Sequence, residues 1–155
     1  MANIIIIDTG AGLNRNVIEF ILASEEVLLV TTPEPTAIAD AYAVIKAYTT
    51  YTERRNIKLV VNRVREEEDC DDVTEKINQT TQKFLGVSVE CLGYIYEDKA
   101  VSEAVHKQIP FIIGSPKSPA ARCVQELVKS LLTFIVTAAQ SCPALSADGT
   151  VDHIP

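Results

Sequence analysis

Ile4, Ile5, Ile6 and Ile7 run directly into Asp8, Thr9, Gly10, Ala11 and Gly12, so an apolar run ends in a carboxylate, a hydroxyl and two glycines. A carboxylate at the end of a strand can hold Mg²⁺ through water, and small residues beyond it let backbone N–H groups approach a phosphate. The same residues also suit a purely structural task, with Asp8 and Thr9 capping a following helix while Gly10 and Gly12 make the turn. Both readings share one geometry, because ligands in open α/β sheets collect beyond the carboxyl ends of the strands.

That geometry requires the apolar run to be a strand. Four consecutive β-branched residues present no polar face, which predicts a strand inside a parallel sheet with helices covering both sides. The rest of the chain alternates accordingly. Helical periodicity is expected over residues 16–23 and 36–50, with apolar strands at 26–32 and 57–62. The acidic stretch Glu66, Glu67, Glu68, Asp69, Asp71 and Asp72 precedes a helix that turns Val73, Ile77 and Phe84 inward and ends at Gly86. Such a run of like charges reads as a solvated face that complements a helix dipole. A strand over 91–95, a short helix over 101–108 and a strand over 111–113 follow, and Ser118 and Pro119 open the last helix as cap and first-turn proline. Its stripe of Val124, Leu127, Val128, Leu131, Ile135 and Ala138 has only Arg122 and Lys129 as basic neighbours, so it is expected to dock on the sheet rather than on a membrane.

Composition narrows the classes. The chain has 155 residues, 47% hydrophobic and 23% charged, as expected of one globular domain. Residues 1–140 are read as that domain and 141–155, rich in Pro, Ala, Ser, Asp and Gly, as a loose tail. A net charge of −7 argues against a sequence-independent nucleic-acid surface. No stretch has the length of a membrane span and no basic flank marks a signal peptide, so a cytoplasmic protein is expected. Cys70, Cys91, Cys123 and Cys142 are scattered, with His106 and His153 as the two imidazoles, which predicts idle thiols rather than a metal cluster or disulfide framework. The Asn78-Gln79-Thr80 match to a glycosylation acceptor is read as accidental.

Two nucleotide motifs are absent. Counting five residues on from Gly10, Gly86, Gly93 or Gly114 reaches Arg15, Cys91, Asp98 or Pro119, so there is no Gly-x-x-x-x-Gly-Lys-Ser/Thr loop. Gly10-Ala11-Gly12 opens like a dinucleotide fingerprint, but Arg15 stands at its third glycine.

Five segments nevertheless occur in a telling order: Ile-Ile-Ile-Asp-Thr-Gly-Ala-Gly-Leu (5–13), Val-Thr-Thr-Pro-Glu-Pro-Thr (30–36) with Asp40-Ala41-Tyr42, Leu-Val-Val-Asn-Arg-Val (59–64), Leu-Gly-Tyr-Ile (92–95) and Ala-Val-His-Lys-Gln-Ile-Pro-Phe (104–111). Through them the chain resembles the MinD/ParA superfamily of P-loop ATPases over residues 4–132, and within it the MinD-like regulators of flagellar number and placement. The resemblance implies a three-layer, mostly parallel α/β sheet with helices on both faces, and ATP and Mg as cofactors of the full-length family. It makes Asp8 the Walker B-type carboxylate near Mg²⁺ and Thr9, Gly10, Ala11 and Gly12 the switch that senses the γ-phosphate. Asn62 would read the adenine edge, which suits an amide that offers donor and acceptor together. Arg63 would lie beside it, and Tyr96, Glu97 and Asp98 would line the base, although Tyr96 stands where the family usually has proline. Thr32, Pro33, Glu34 and Asp40 would lie toward a dimer or partner face; by residue type alone they also read as a helix start.

In the family a strand, a phosphate-binding loop with two lysines and a first switch come before the Walker B strand, whereas this sequence opens at the Walker B segment. The resemblance therefore implies that these 155 residues neither bind ATP tightly nor hydrolyse it alone. It also implies a slot between the isoleucine strand and the strand at 26–32, to be resolved by direct pairing of the two or by self-association. Two function classes follow: part of an ATP-dependent switch, its N-terminal half lost, excised or supplied in trans, or a non-catalytic interaction module that keeps the sheet and partner-binding helices.

Overall fold

β2 (Ile57–Val64) is the middle strand of a three-stranded, all-parallel sheet of order β1-β2-β3, between β1 (Val27–Thr31) and β3 (Glu90–Tyr96). The structure, a computed structural model, describes residues 4–10, 12–53 and 56–141, with side chains as far as Thr133. Its helices are α1 (Arg15–Ala23), α2 (Pro35–Tyr51), α3 (Glu67–Leu85), α4 (Lys99–Lys107), the single turn α5 (Phe111–Gly114) and α6 (Pro119–Ser141).

The first five residues of β2 are all buried, because both faces of this strand are covered. Leu59 sits opposite Leu29 on one side and Cys91 on the other. With Ile57 and Val61 it joins Ile45 and Tyr48 of α2 and Val73 and Ile77 of α3 in one core cluster. Side chains alternate along a strand, so Val60 shares the opposite face with its register partner Gly93, against which Leu127 of α6 packs. Helices thus flank both faces of a parallel sheet, the α/β architecture expected from the sequence.

Local chemistry sets the helix ends. Asn14 accepts from the Val17 N–H at 3.0 Å and starts α1. Pro35 supplies the pre-set first turn of α2. A capping box joins Glu66 and Asp69, and three acids fill the first turn of α3, so the helix begins inside the acidic run rather than after it. Gly86 ends α3 in the left-handed region at φ 67°, as the sequence predicts. Ser118 accepts from the Ala121 N–H at 3.3 Å at the start of α6.

Three expectations fail. Residues 4–7 form no strand, and Ile5 and Ile6 are 81% and 85% exposed. A strand is defined by neighbours that take its N–H and C=O groups, and among the described residues β1 has β2 as its sheet neighbour and none from the isoleucine run. Direct closure of the slot therefore does not occur, and Leu28 and Val30 of β1 stay exposed. Residues 111–113 are helical rather than extended: Pro110 caps a turn whose Ile113 and Gly114 N–H groups both donate to its carbonyl, and an apolar run this short does not set a period. Phe84 points outward, since Val73, Ile77 and Thr81 already fill the buried stripe of α3. The tail at 142–155 lies outside the described residues.

Gly93 carries the α6 contact. A Cβ built there would lie 2.9 Å from Leu127 Cδ2, at a φ of +149° that side-chain-bearing residues rarely adopt. Gly93→Ala is therefore expected to destabilise the chain by about 1–3 kcal/mol. A urea midpoint unchanged from the parent would show that α6 does not press on β3.

Candidate functional site

The loops after β1, β2 and β3 meet at the carboxyl end of the sheet, where open α/β folds place their ligands. They enclose a cavity of about 300 Å³. Thr32, Pro33 and Glu34 reach it from β1, Arg63 and Arg65 from the end of β2, and Glu97 from the end of β3. Asp69 closes one side from the first turn of α3.

Arg63 reaches the cavity through a backbone irregularity. The register between β2 and β3 shifts between Asn62 and Val64, leaving Arg63 as the extra residue, with φ at 60°. A bulge of this kind bends the strand and re-aims a side chain, and the left-handed backbone is costly for a residue that carries a Cβ. The Asn62 side-chain oxygen accepts from the Arg63 N–H at 2.9 Å and holds this conformation.

The charges at the rim are already paired. The Arg63 guanidinium lies 3.1 Å from Glu97 and 3.4 Å from Glu34, and Arg65 lies 3.9 Å from the other Glu97 oxygen. The hydrogen bond and charge of Glu97, followed by the charge of Glu34, raise the Arg63 pKa. All three pairs are solvent-exposed, so they orient the side chains more than they stabilise the fold. Two arginines face Glu34, Asp69 and Glu97, which makes this rim slightly acidic.

Beyond β3, Asp98 acts as a cap for two helices. Its Oδ1 accepts from Ala100 N–H at 2.8 Å at the start of α4, and its Oδ2 accepts from Ala120 N–H at 3.1 Å at the start of α6. Those two backbone donors, in that order, hold its carboxyl below the usual carboxylate range. Tyr96 donates to Glu67 Oε1 at 3.2 Å, and Tyr94 donates to the same oxygen at 2.6 Å. The two rings meet edge to face with centroids 5.1 Å apart. Hydrogen bonding to Glu67, then to Tyr96, pushes the Tyr94 pKa up.

The sequence-predicted residues thus divide. Thr32, Pro33, Glu34 and Arg63 come together around the cavity, with Asn62 beneath Arg63, while Asp98 and Tyr96 are committed to helix caps and to Glu67. Asp8, Thr9, Gly10 and Gly12 are exposed, nothing lies within 4 Å of a Cβ built on Gly10 or Gly12, and Ala11 is outside the described residues. Asp40 is exposed in the second turn of α2 and does not line the cavity. Sequence reasoning missed Arg65 and Asp69. Arg65 lies just past the end of β2, beyond the bulge at Arg63, and Asp69 was hidden among acids that read as solvent-facing. Among the described residues no group of three or more His, Cys, Asp or Glu is placed to hold a metal ion, and no helix is long and apolar enough to cross a membrane.

No family model matches the chain. The antiactivator FleN of Pseudomonas aeruginosa is 33% identical over 119 residues, which cover 77% of this chain and 42% of that protein. The flagellum site-determining protein YlxH of Helicobacter pylori is 26% identical over 140 residues, covering 90% of this chain and 47% of YlxH. The crystal structure of the cell division ATPase MinD of Pyrococcus furiosus superposes with a TM-score of 0.62 at 27% identity, over 82% of this chain and 50% of that one. The chain therefore spans about half, or less, of the length of the proteins it matches. Similarity to FleN and YlxH over three quarters or more of its residues, a MinD-like parallel sheet and the ordered motifs agree: the chain belongs to the MinD/ParA superfamily of P-loop ATPases.

Proposed function

We propose that the chain is part of a MinD-like ATP-dependent switch and carries its Walker B segment, serving the placement of flagella or of the division site in the cytoplasm. The observation that carries this reading is the convergence of the loops after all three strands on one cavity at the carboxyl end of the sheet, in a chain similar to FleN, YlxH and MinD. In this reading Asn62 and Arg63 lie on the base side of a nucleotide, with Tyr96 and Asp98 in the loop beside it. Asp8 serves Mg²⁺, residues 9–12 sense the γ-phosphate, and Thr32, Pro33, Glu34 and Asp40 face a second copy or a protein partner.

The present residues do not suit a triphosphate. Arg63 and Arg65 are neutralised by Glu34 and Glu97, the rim is slightly acidic, and the glycines after Asp8 stand in open space. Phosphoryl transfer depends on positioning and on charge stabilisation of the phosphates, so no hydrolytic step is assigned to these residues. Titration calorimetry of the chain with Mg-ATP is expected to show no saturable binding tighter than about 1 mM. Fusing a family segment that carries the phosphate-binding loop ahead of residue 4 is expected to confer tight binding.

A second reading, the non-catalytic interaction module, is favoured by the exposed apolar side chains of Leu28 and Val30 on β1 and of the isoleucine run. The fusion separates the two readings: a module stays unable to bind ATP after fusion, and that outcome would end the switch reading.

A further inference from the structure

Cys70, in the first turns of α3, and Cys91, the second residue of β3, are 21 positions apart in sequence, yet their Sγ atoms are 3.4 Å apart. Cys70 is buried in the core cluster and Cys91, packed against that cluster, is half-buried, so Cys91 is the less enclosed residue of the two. Forming an S–S bond of about 2.0 Å requires the two atoms to approach by about 1.4 Å. We propose that Cys70 and Cys91 form a reversible dithiol–disulfide site that takes a small disulfide of the glutathione type as its oxidant.

The asymmetry of the pair assigns the order of events. Cys91, the less buried of the two, is the sulfur that meets the oxidant, while burial, then the neighbouring Cys91 sulfur, pushes the Cys70 thiol up to about 12. Cys91 loses its proton to water and its thiolate attacks one sulfur of glutathione disulfide. The S–S bond of the oxidant breaks, one glutathione thiolate leaves and takes up a proton, and Cys91 is left as a mixed disulfide. Cys70, held against Cys91 Sγ, then attacks it as its proton passes to the second glutathione, which leaves as a thiol. Two protein thiols become one disulfide and one glutathione disulfide becomes two glutathione thiols, with two electrons passing to the oxidant.

The bridge ties α3 to β3 at the interface where Tyr94 and Tyr96 already donate to Glu67. It lies one residue from Asp69, whose carboxylate accepts from Arg65 N–H at 2.8 Å and borders the cavity. Oxidation thereby fixes the α3 side of that rim. In a reducing compartment such a pair rests as thiols and closes only under oxidative load.

The test uses the full chain with Cys123→Ser and Cys142→Ser, equilibrated in glutathione buffers from reducing to oxidising, acid-quenched and alkylated under denaturing conditions. The expected product is a monomer lighter by two hydrogens, with both maleimide additions lost, a Cys70–Cys91 cross-linked peptide, and full recovery by dithiothreitol. Adding Cys91→Ser is expected to leave Cys70 fully alkylated in the same buffers. A glutathione adduct that persists on Cys91, a bridge between two copies, or both thiols recovered at every ratio would each overturn the proposal.

Discussion

Leu59→Ala is expected to lower the stability of the chain by about 2–5 kcal/mol, while Ile6→Ala changes it by less than about 0.5 kcal/mol. Leu59 is fully buried in the middle strand, between Leu29 and Cys91 in register and under α2 and α3. Truncating it removes apolar contacts and leaves a cavity that the two flanking strands and helices do not collapse to fill. Ile6 is 85% exposed, so its loss in the folded state matches its loss in the unfolded state. The pair discriminates sharply, because reading residues 4–7 as an interior strand predicts a similar large loss at both positions. Denaturant midpoints of the two variants decide it; an Ile6→Ala cost above about 2 kcal/mol would return the isoleucine run to the sheet.

Asp98→Ala is expected to cost about 1–3 kcal/mol, near the upper end for a single surface carboxylate, because two helix starts lose an acceptor at once. Ala100 N–H at α4 and Ala120 N–H at α6 each use a different oxygen of this side chain. Asp98→Asn keeps one acceptor oxygen and is expected to lose roughly half as much. The pH dependence follows from the lowered folded-state pKa. The stabilisation is fully present above the unfolded value of about 3.9 and is lost as pH falls through the lower folded value. Thermal melts from pH 7 downward should therefore show the parent and Asp98→Asn converging in acid. A constant gap across that range would mean that the carboxylate charge contributes nothing to the caps.

Much of the fold is legible in the residues. The apolar run at β2, the helical spacing of Val73 and Ile77, the turn glycine Gly86 and the Ser118-Pro119 start all lie where local pattern and capping chemistry put them. The candidate site is legible only in outline. The resemblance to the MinD/ParA superfamily picks out Thr32, Pro33, Glu34, Asn62 and Arg63, but not that Glu34 and Glu97 clasp one guanidinium across 29 and 34 residues of sequence. Asp98 shows the limit from the other side: a carboxylate after a strand suits a ligand or a cap, and the approach of α6 commits it to capping.

Local preference is enough to choose the five longer helices and the strands that become β1, β2 and β3, though not the single turn α5, since each of those choices rests on neighbours a few positions away. Whether residues 4–7 enter the sheet, whether β2 bulges at Arg63 and whether Cys70 meets Cys91 are settled by hydrogen-bond and packing partners distant in the chain. Four isoleucines carry the propensity for a strand but none of its bonds.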